Sequence, residues 1–200
     1  MNYPEKVAAH LWKGLELYAK EDQHVEASIE FEEALRLNPR DPQCHFWVAK
    51  MMAEFGDNED AVELFDNAVK MSPDNAQYHF EKGDILALWG CFDEALNEMT
   101  KAIRLNPKNA NYHYFKGLAH NSMRDYEKAL KEFDSCLGLL PDCSEFHLAK
   151  MDTLVQLGRT VEGTEEQNKV HIVTENDERH PMRYEGILEI KQAYFFQKFR

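Results

Sequence analysis

Residues 73–107 read PDNAQYHFEKGDILALWGCFDEALNEMTKAIRLNP, and this stretch carries the pattern that decides the fold. It is bounded by Pro73 and Pro107, which lie 34 residues apart. The same interval leads back to Pro39 and forward to Pro141. A fixed period in this range is typical of stacked structural repeats rather than of one compact core.

Other residue types keep the same interval and predict two helices in each unit. In the quoted stretch Ala95, Met99 and Ala102 form a stripe with helical spacing that ends shortly before the proline. The other units repeat the stripe as Ala27, Phe31 and Ala34; Ala61, Phe65 and Ala68; and Ala129, Phe133 and Cys136. In the second unit the predicted helices cover about residues 43–55 and 59–71, with a break at Gly56. No run of β-branched residues with a period of two is present, so strands are not expected.

This pattern resembles the tetratricopeptide repeat family, whose unit is a 34-residue helix–turn–helix. The resemblance is carried by Gly83, Leu86, Gly90, Phe92, Ala95, Met99, Ala102 and Pro107, and by Gly117, His120, Arg124, Tyr126, Ala129, Phe133, Cys136 and Pro141. It covers about residues 8–143 within a region 1–143 of four repeats, at about 8–41, 42–75, 76–109 and 110–143. The resemblance implies an all-α, right-handed α-solenoid. The first unit departs from the pattern, with Gly14-Leu15 where the family usually has Leu-Gly.

The remainder of the chain is expected to close the stack. Residues 144–173 are either a divergent fifth repeat or a capping helix pair, because Gly163 and Gln167 replace the small and aromatic residues of the pattern. Residues 174–183 are polar and predict a loop. Residues 184–200 predict an amphipathic C-terminal helix that caps the stack, or alternatively a docking helix that enters a groove.

Composition excludes several classes of partner. The 200 residues include 23 Lys and Arg and 36 Asp and Glu, a net charge of −13, and such a field repels nucleic acid and anionic membranes. No stretch is long and apolar enough to span a bilayer, and no secretory signal is visible. The four cysteines form no CxxC pair. A reduced, cytoplasmic protein is therefore expected.

Neither a cofactor nor a metal is expected. A histidine column, formed by His45, His79, His113 and His147, again keeps the 34-residue interval. Equivalent positions in stacked repeats are about 8–10 Å apart, whereas zinc needs nitrogen ligands within about 2.1 Å. We therefore interpret the column as structural. Phosphate-loop, nucleophile-elbow and metalloprotease motifs are absent from the sequence, so the chain is not expected to be an enzyme.

The resemblance implies that the first helix of each unit lines a concave peptide-binding groove. Carried onto this chain, the peptide-binding residues are Trp12, Gln43, Phe46, Trp47, Lys50, Gln77, Phe80, Asn111, Tyr114 and Phe115. Aromatic side chains would anchor the ligand, and Gln and Asn would bond its backbone. The alternative is that the aromatic side chains pack between neighbouring helices.

The predicted function is that of a scaffold or adaptor, a non-catalytic module that binds a protein or peptide. Positions that hold Lys and Asn in chaperone-binding family members hold Trp12, Glu16, Trp47, Gln77 and Glu81 here, so docking of an acidic chaperone tail through a carboxylate clamp is not expected. An acidic rim with an aromatic floor favours a neutral or basic, partly apolar ligand. The alternative function is a dedicated chaperone for an apolar client; an enzyme or small-ligand binder is disfavoured because no such site is visible.

Overall fold

A computed structural model describes residues 3–20 and 22–176, and within these ranges the chain forms ten α-helices and no strand. In chain order they are α1 (Tyr3–Tyr18), α2 (His24–Leu37), α3 (Pro42–Phe55), α4 (Asn58–Met71), α5 (Ala76–Leu88), α6 (Phe92–Leu105), α7 (Ala110–Ser122), α8 (Tyr126–Leu139), α9 (Ser144–Gln156) and α10 (Thr160–Asn176). The predicted all-α class is confirmed.

The helices belong to two compact units, which divide between Ala119 and His120. In the first unit α1 packs on α2, α3 on α4 and α5 on α6, and each pair also contacts the next one. In the second unit α9 packs on both α8 and α10. This is the arrangement of an α-solenoid, in which each helix pair is stabilised mainly by its neighbours.

Two kinds of turn recur at the helix ends. The four evenly spaced prolines follow the C-cap residues Asn38, Ser72, Asn106 and Leu140 of the even-numbered helices, where a proline ends the helical path. The other turn needs a left-handed residue, and Gly56, Gly90, Arg124 and Gly158 supply it with φ angles of 92°, 87°, 62° and 75°. Arg124 adopts this conformation without the freedom that glycine has.

The residues of the sequence stripe lie in the core. Ala95, Met99 and Ala102 are fully buried, as are their counterparts in the other units: Ala27, Phe31, Ala34, Ala61, Phe65, Ala68, Ala129, Phe133 and Cys136. An added Cβ at Gly83 would lie 3.0 Å from Met99 Cγ and 3.1 Å from the carbonyl oxygen of Ala95. The small residues therefore let the paired helices approach closely.

The described residues include only the beginning of the C-terminal region for which a loop and a helix are predicted. Helix α10 continues to Asn176, so residues 174–176 are helical where the sequence predicts the start of a loop. The rest of that loop and the predicted capping helix at residues 184–200 lie outside the described residues.

Candidate peptide-binding face

The ten residues predicted to bind a peptide differ widely in exposure. Trp12 is 75% exposed, and the amide side chains of Gln43, Gln77 and Asn111 are also exposed. A second group is half-buried: Trp47, Lys50, Phe80 and Phe115. The third group, Phe46 and Tyr114, is only 3% and 1% exposed. The side chains of the first two groups are accessible at the surface, while the rings of the third lie inside the protein.

Phe46 is buried because aromatic residues of successive helix pairs stack on one another. Its ring lies parallel to that of Tyr78, with 4.9 Å between centroids. The same contact recurs one unit later, where the centroids of Phe80 and Tyr112 are 4.8 Å apart. Phe80 also meets Phe115 edge to face, with 5.2 Å between ring centroids. Both rings are only half-buried. The alternative of packing between neighbouring helices thus describes Phe46 and, in part, Phe80.

Helix α1 is displaced by one residue relative to the predicted repeat register. An added Cβ at Gly14 would lie 2.5 Å from the ring of Phe31. Gly14 therefore packs on Phe31 in the way that Gly83 packs on Met99. His10 and Lys13 contact Glu30 as His79 and Lys82 contact Glu98. These matched contacts place Trp12 at the same repeat position as Trp47, Glu81 and Phe115, whereas the 34-residue interval alone would place it with Phe46 and Phe80. One extra residue between α1 and α2 explains the shift.

Trp47 is the centre of an aromatic cluster in the first unit. It stacks on Phe31 at 5.2 Å and meets Tyr18 and Phe46 edge-on at 5.6 and 5.2 Å. The ring of His24 stacks on Tyr18, with 5.0 Å between ring centroids. The Tyr18 hydroxyl donates a hydrogen bond of 2.6 Å to Glu54. The ring of Trp47 is therefore held in a fixed orientation at the protein surface.

A charged group lies beside this cluster. Lys50 Nζ is 5.9 Å from the ring centroids of both Tyr18 and Trp47, within the range of a cation–π contact. It also donates to Glu81 Oε1 at 3.2 Å. Asp84 follows Glu81 by one turn of α5, and its Oδ1 is buried without a hydrogen-bond partner. Burial, followed by the negative charge of Glu81, raises the pKa of Asp84 to about 7, and Lys50 offsets only part of this.

Six accessible side chains on α1, α3, α5 and α7 form a surface that we call the first-helix face: Trp12, Trp47, Lys50, Phe80, Glu81 and Phe115. All six belong to the first compact unit. The face combines flat aromatic area with one cation and one anion. Such a surface can bind apolar and polar groups of an extended chain at the same time.

A buried polar network that the sequence analysis missed joins α5 to α6 and α9 to α10. His79 makes contacts with both of its nitrogens, at 2.6 Å to Glu98 Oε2 and at 2.9 Å to the carbonyl of Pro73. His147 makes the same two contacts, at 2.6 Å to Glu166 and 2.8 Å to Pro141. The sequence contains a sign of this network. In both units a lysine follows the histidine by three residues, and a glutamate follows the same histidine by 19 residues.

Lysines complete the network and join consecutive pairs. Lys82 contacts Glu98 at 3.4 Å and Asp66 of the preceding pair at 2.7 Å. Burial raises the pKa of Glu98, but hydrogen bonds from Lys101 and His79 and the nearby ammonium charges outweigh it, so that the net pKa is lowered. The equivalent lysines around Glu166 are Lys150 and Lys169, and there the net pKa falls to about 2.

The histidine column thus has a visible structural role. His45 also contacts a proline carbonyl, that of Pro39, at 2.8 Å, but its Nδ1 is buried without a partner because Leu64 stands where the other pairs have glutamate. Within the described part of the chain, no group of three or more His, Cys, Asp or Glu side chains is placed to hold a metal ion.

The paired helices and the row of first helices that carries this face define a helical-repeat protein. Residues 52–88 and 90–142 match the model of a tetratricopeptide repeat family. Over these residues the chain carries the tetratricopeptide repeat that the sequence pattern predicted. A search of the curated proteins found no matching relative.

Solved structures share this fold. MamA from Desulfovibrio magneticus RS-1, residues 41 to the end, superposes with a TM-score of 0.77 at 21% identity, covering 86% of this chain and 97% of that one. A MamA RS-1 double mutant gives 0.77 at 20% identity, with 88% and 98% covered. Pseudomonas aeruginosa pilF gives 0.76 at 20% identity, with 86% and 78% covered. At these identities the likeness concerns the fold alone.

The fold narrows the class of function. Tetratricopeptide repeats are typical of protein–protein interaction modules, and the family is generally non-catalytic. Across residues 3–20 and 22–176, no helix has both the length and the apolar character needed to cross a membrane.

Proposed function

We propose that this protein is a non-catalytic scaffold or adaptor that binds a peptide segment of a partner protein on the first-helix face. The observation that carries the proposal is the row of solvent-accessible aromatic rings on successive first helices, Trp12, Trp47, Phe80 and Phe115. Large rigid rings supply contact area at low entropic cost, and they dominate the binding energy at many interfaces. The exposed amides of Gln43, Gln77 and Asn111 supply donors and acceptors for a peptide backbone.

The charges around the aromatic row favour a neutral or basic, partly apolar ligand. Lys50 is already paired with Glu81, and the chain as a whole carries a net charge of −13. An acidic segment would meet this net repulsion, whereas a basic one would be attracted. Phe46 and Tyr114 support the face from below and are not proposed to touch the ligand.

The cysteines support a non-catalytic role. Burial raises the pKa of Cys44 and of Cys136 to about 12, so that both thiols stay protonated and are poor nucleophiles at neutral pH. Cys91 and Cys143 are likewise free thiols. Four free thiols also support the cytoplasmic location, which stays a prediction.

Peptide selection on the immobilised full chain, followed by affinity measurements on two matched variants, tests the proposal. Trp12→Ala removes an exposed ring from the face, and Trp89→Ala removes another exposed ring, 48% exposed, from the turn after α5. We expect Trp12→Ala to weaken binding of the selected peptides by about 5- to 30-fold, the usual range for a contact residue, and Trp89→Ala to leave it unchanged. Equal affinities for both variants and the unaltered chain would argue against the face.

A further inference from the structure

We propose that the surface formed by Tyr18, Trp47, Lys50, Glu81 and Asp84, here called the Lys50 pocket, binds a cationic side chain of the partner peptide, with arginine as its best fit. This inference rests on the proposed function and names the chemistry of one contact on the same face. All five residues belong to the first compact unit.

The pocket already holds one cation. Lys50 Nζ lies 5.9 Å from two aromatic ring centroids and 3.2 Å from Glu81 Oε1. Aromatic faces and a carboxylate together stabilise a partly desolvated positive charge more than either does alone. The same two kinds of group are what an incoming guanidinium requires, since it is planar, weakly hydrated and able to stack on a ring while donating to a carboxylate.

One acceptor in the pocket is unused. Asp84 Oδ1 is buried and has no hydrogen-bond partner, although the buried oxygens of carboxylates are normally satisfied. The neighbouring carboxylate, Glu81, is occupied by Lys50. One ammonium group thus acts on two carboxylates and is paired with only one of them, and a second cation would pair the free oxygen and balance the local charge.

The other charged groups near the pocket are already engaged. Glu54 on α3 accepts from the Tyr18 hydroxyl and lies 3.1 Å from His24 Nδ1 on α2. On α5, Lys82 is directed to Asp66 and Glu98. The charges that act on Asp84 are those of Glu81 and Lys50. An added cation would therefore act mainly on Asp84 and would favour its ionised form.

Two peptide pools test the proposal. Both contain acetylated and amidated 11-residue peptides with random uncharged residues around a fixed centre, which is arginine in one pool and citrulline, its neutral isostere, in the other. Retention on the immobilised full chain at pH 8 is measured by mass spectrometry. We expect the arginine pool to be retained at least about fivefold better, as for a charge-assisted hydrogen bond.

Charge-removing variants locate the effect. Asp84→Asn and Glu81→Gln should abolish the preference for arginine, while the exposed controls Asp74→Asn and Glu63→Gln should keep it. Thermal melting checks that each variant is folded. The preference should also rise by up to about tenfold from pH 6 to pH 8 in the unaltered chain, because Asp84 must lose its proton to pair the cation. In Asp84→Asn the preference for arginine should not change over this pH range.

The outcomes separate the two proposals. Equal retention of both pools, or an arginine preference that survives Asp84→Asn and Glu81→Gln, would overturn the cationic subsite and leave the peptide-binding role intact. Retention of neither pool above that of a protein-free resin would overturn both. A third pool with lysine at its centre is measured in the same way, and its retention above the arginine pool would overturn the assignment of arginine.

Discussion

Nδ1 of His147 lies 2.6 Å from Oε2 of Glu166, and both side chains are buried. The same contact at the same distance joins His79 to Glu98, two 34-residue intervals earlier in the chain. Each pair connects the first helix of a repeat to the second. A buried polar contact that is satisfied only in one register favours that register over others, so these pairs fix how the two helices align.

Removing the carboxylate charge from one pair should destabilise the protein strongly. Glu98→Gln leaves Lys82 and Lys101 without their shared partner and His79 without its acceptor charge. Breaking a buried ion pair on one side typically costs about 3 kcal/mol. Urea unfolding followed by circular dichroism measures the loss, and Glu59→Gln, on an exposed part of α4, is the control. A loss as small as that of the control would mean that the network is not coupled to folding.

The pH dependence of stability below neutrality should carry the signature of Glu166. Its pKa is about 2 in the folded protein against an ordinary value of 4.5, so the unfolded state binds the proton first as the pH falls. The stabilisation is therefore complete above about pH 5 and is lost progressively toward pH 2. Unfolding free energies measured from pH 6 to pH 2.5 should fall more steeply for the unaltered chain than for Glu166→Gln. Parallel curves would contradict the assignment.

Much of the architecture could be predicted from the sequence because the repeat presents the same pattern four times. The intervals of Ala95, Met99 and Pro107 fixed the helix pairs, and the structure has the same residues in its core. The pattern could not reveal how deeply each side chain is buried. Phe46 and Phe80 occupy the same repeat position, yet one is buried and the other is half-exposed, since their neighbours differ.

The 34-residue pattern also did not predict the register in which α1 packs on α2. A single extra residue between the first two helices moves Trp12 to another repeat position. The order Gly14-Leu15 showed a departure from the pattern, but the contacts of Gly14 with Phe31 and of His10 with Glu30 identify it as a shift. The polar network escaped for a different reason. Its glutamates lie among many others in the sequence, and their burial depends on packing between helices rather than on local spacing.

Arg124→Gly should stabilise the protein. Arg124 has φ +62°, and the equivalent residues of the other units, Gly56, Gly90 and Gly158, show that glycine fits this turn. Relief of the left-handed strain is worth about 1 kcal/mol. The reciprocal change, Gly90→Ala, should cost a similar amount, because an added Cβ there meets nothing within 4 Å and only the backbone is strained. Thermal melts measure both, and shifts of the same sign would refute the explanation.

Gly14→Ala tests the displaced register of α1. The new methyl group would lie 2.5 Å from the buried ring of Phe31, which itself stacks on Trp47, so overpacking should cost about 1–3 kcal/mol. Gly138 in α8 has open space around it, and Gly138→Ala should instead stabilise the helix by about 0.5 kcal/mol. Urea unfolding distinguishes these signs. An unchanged stability for Gly14→Ala would mean that α1 packs in the unshifted register.

Tyr114→Ala and Phe80→Ala should separate folding from binding. Tyr114 is 1% exposed, so its removal leaves a cavity and should lower the free energy of unfolding by about 3–5 kcal/mol. Phe80 is half-buried between Tyr112 and Phe115, and its loss should cost less stability while weakening the binding of selected peptides. Unfolding curves give the first quantity, and peptide titration of the folded fraction gives the second. If Tyr114→Ala keeps the stability of the unaltered chain but loses peptide affinity, its ring contacts the ligand directly, and the division between buried support and exposed contact on this face is wrong.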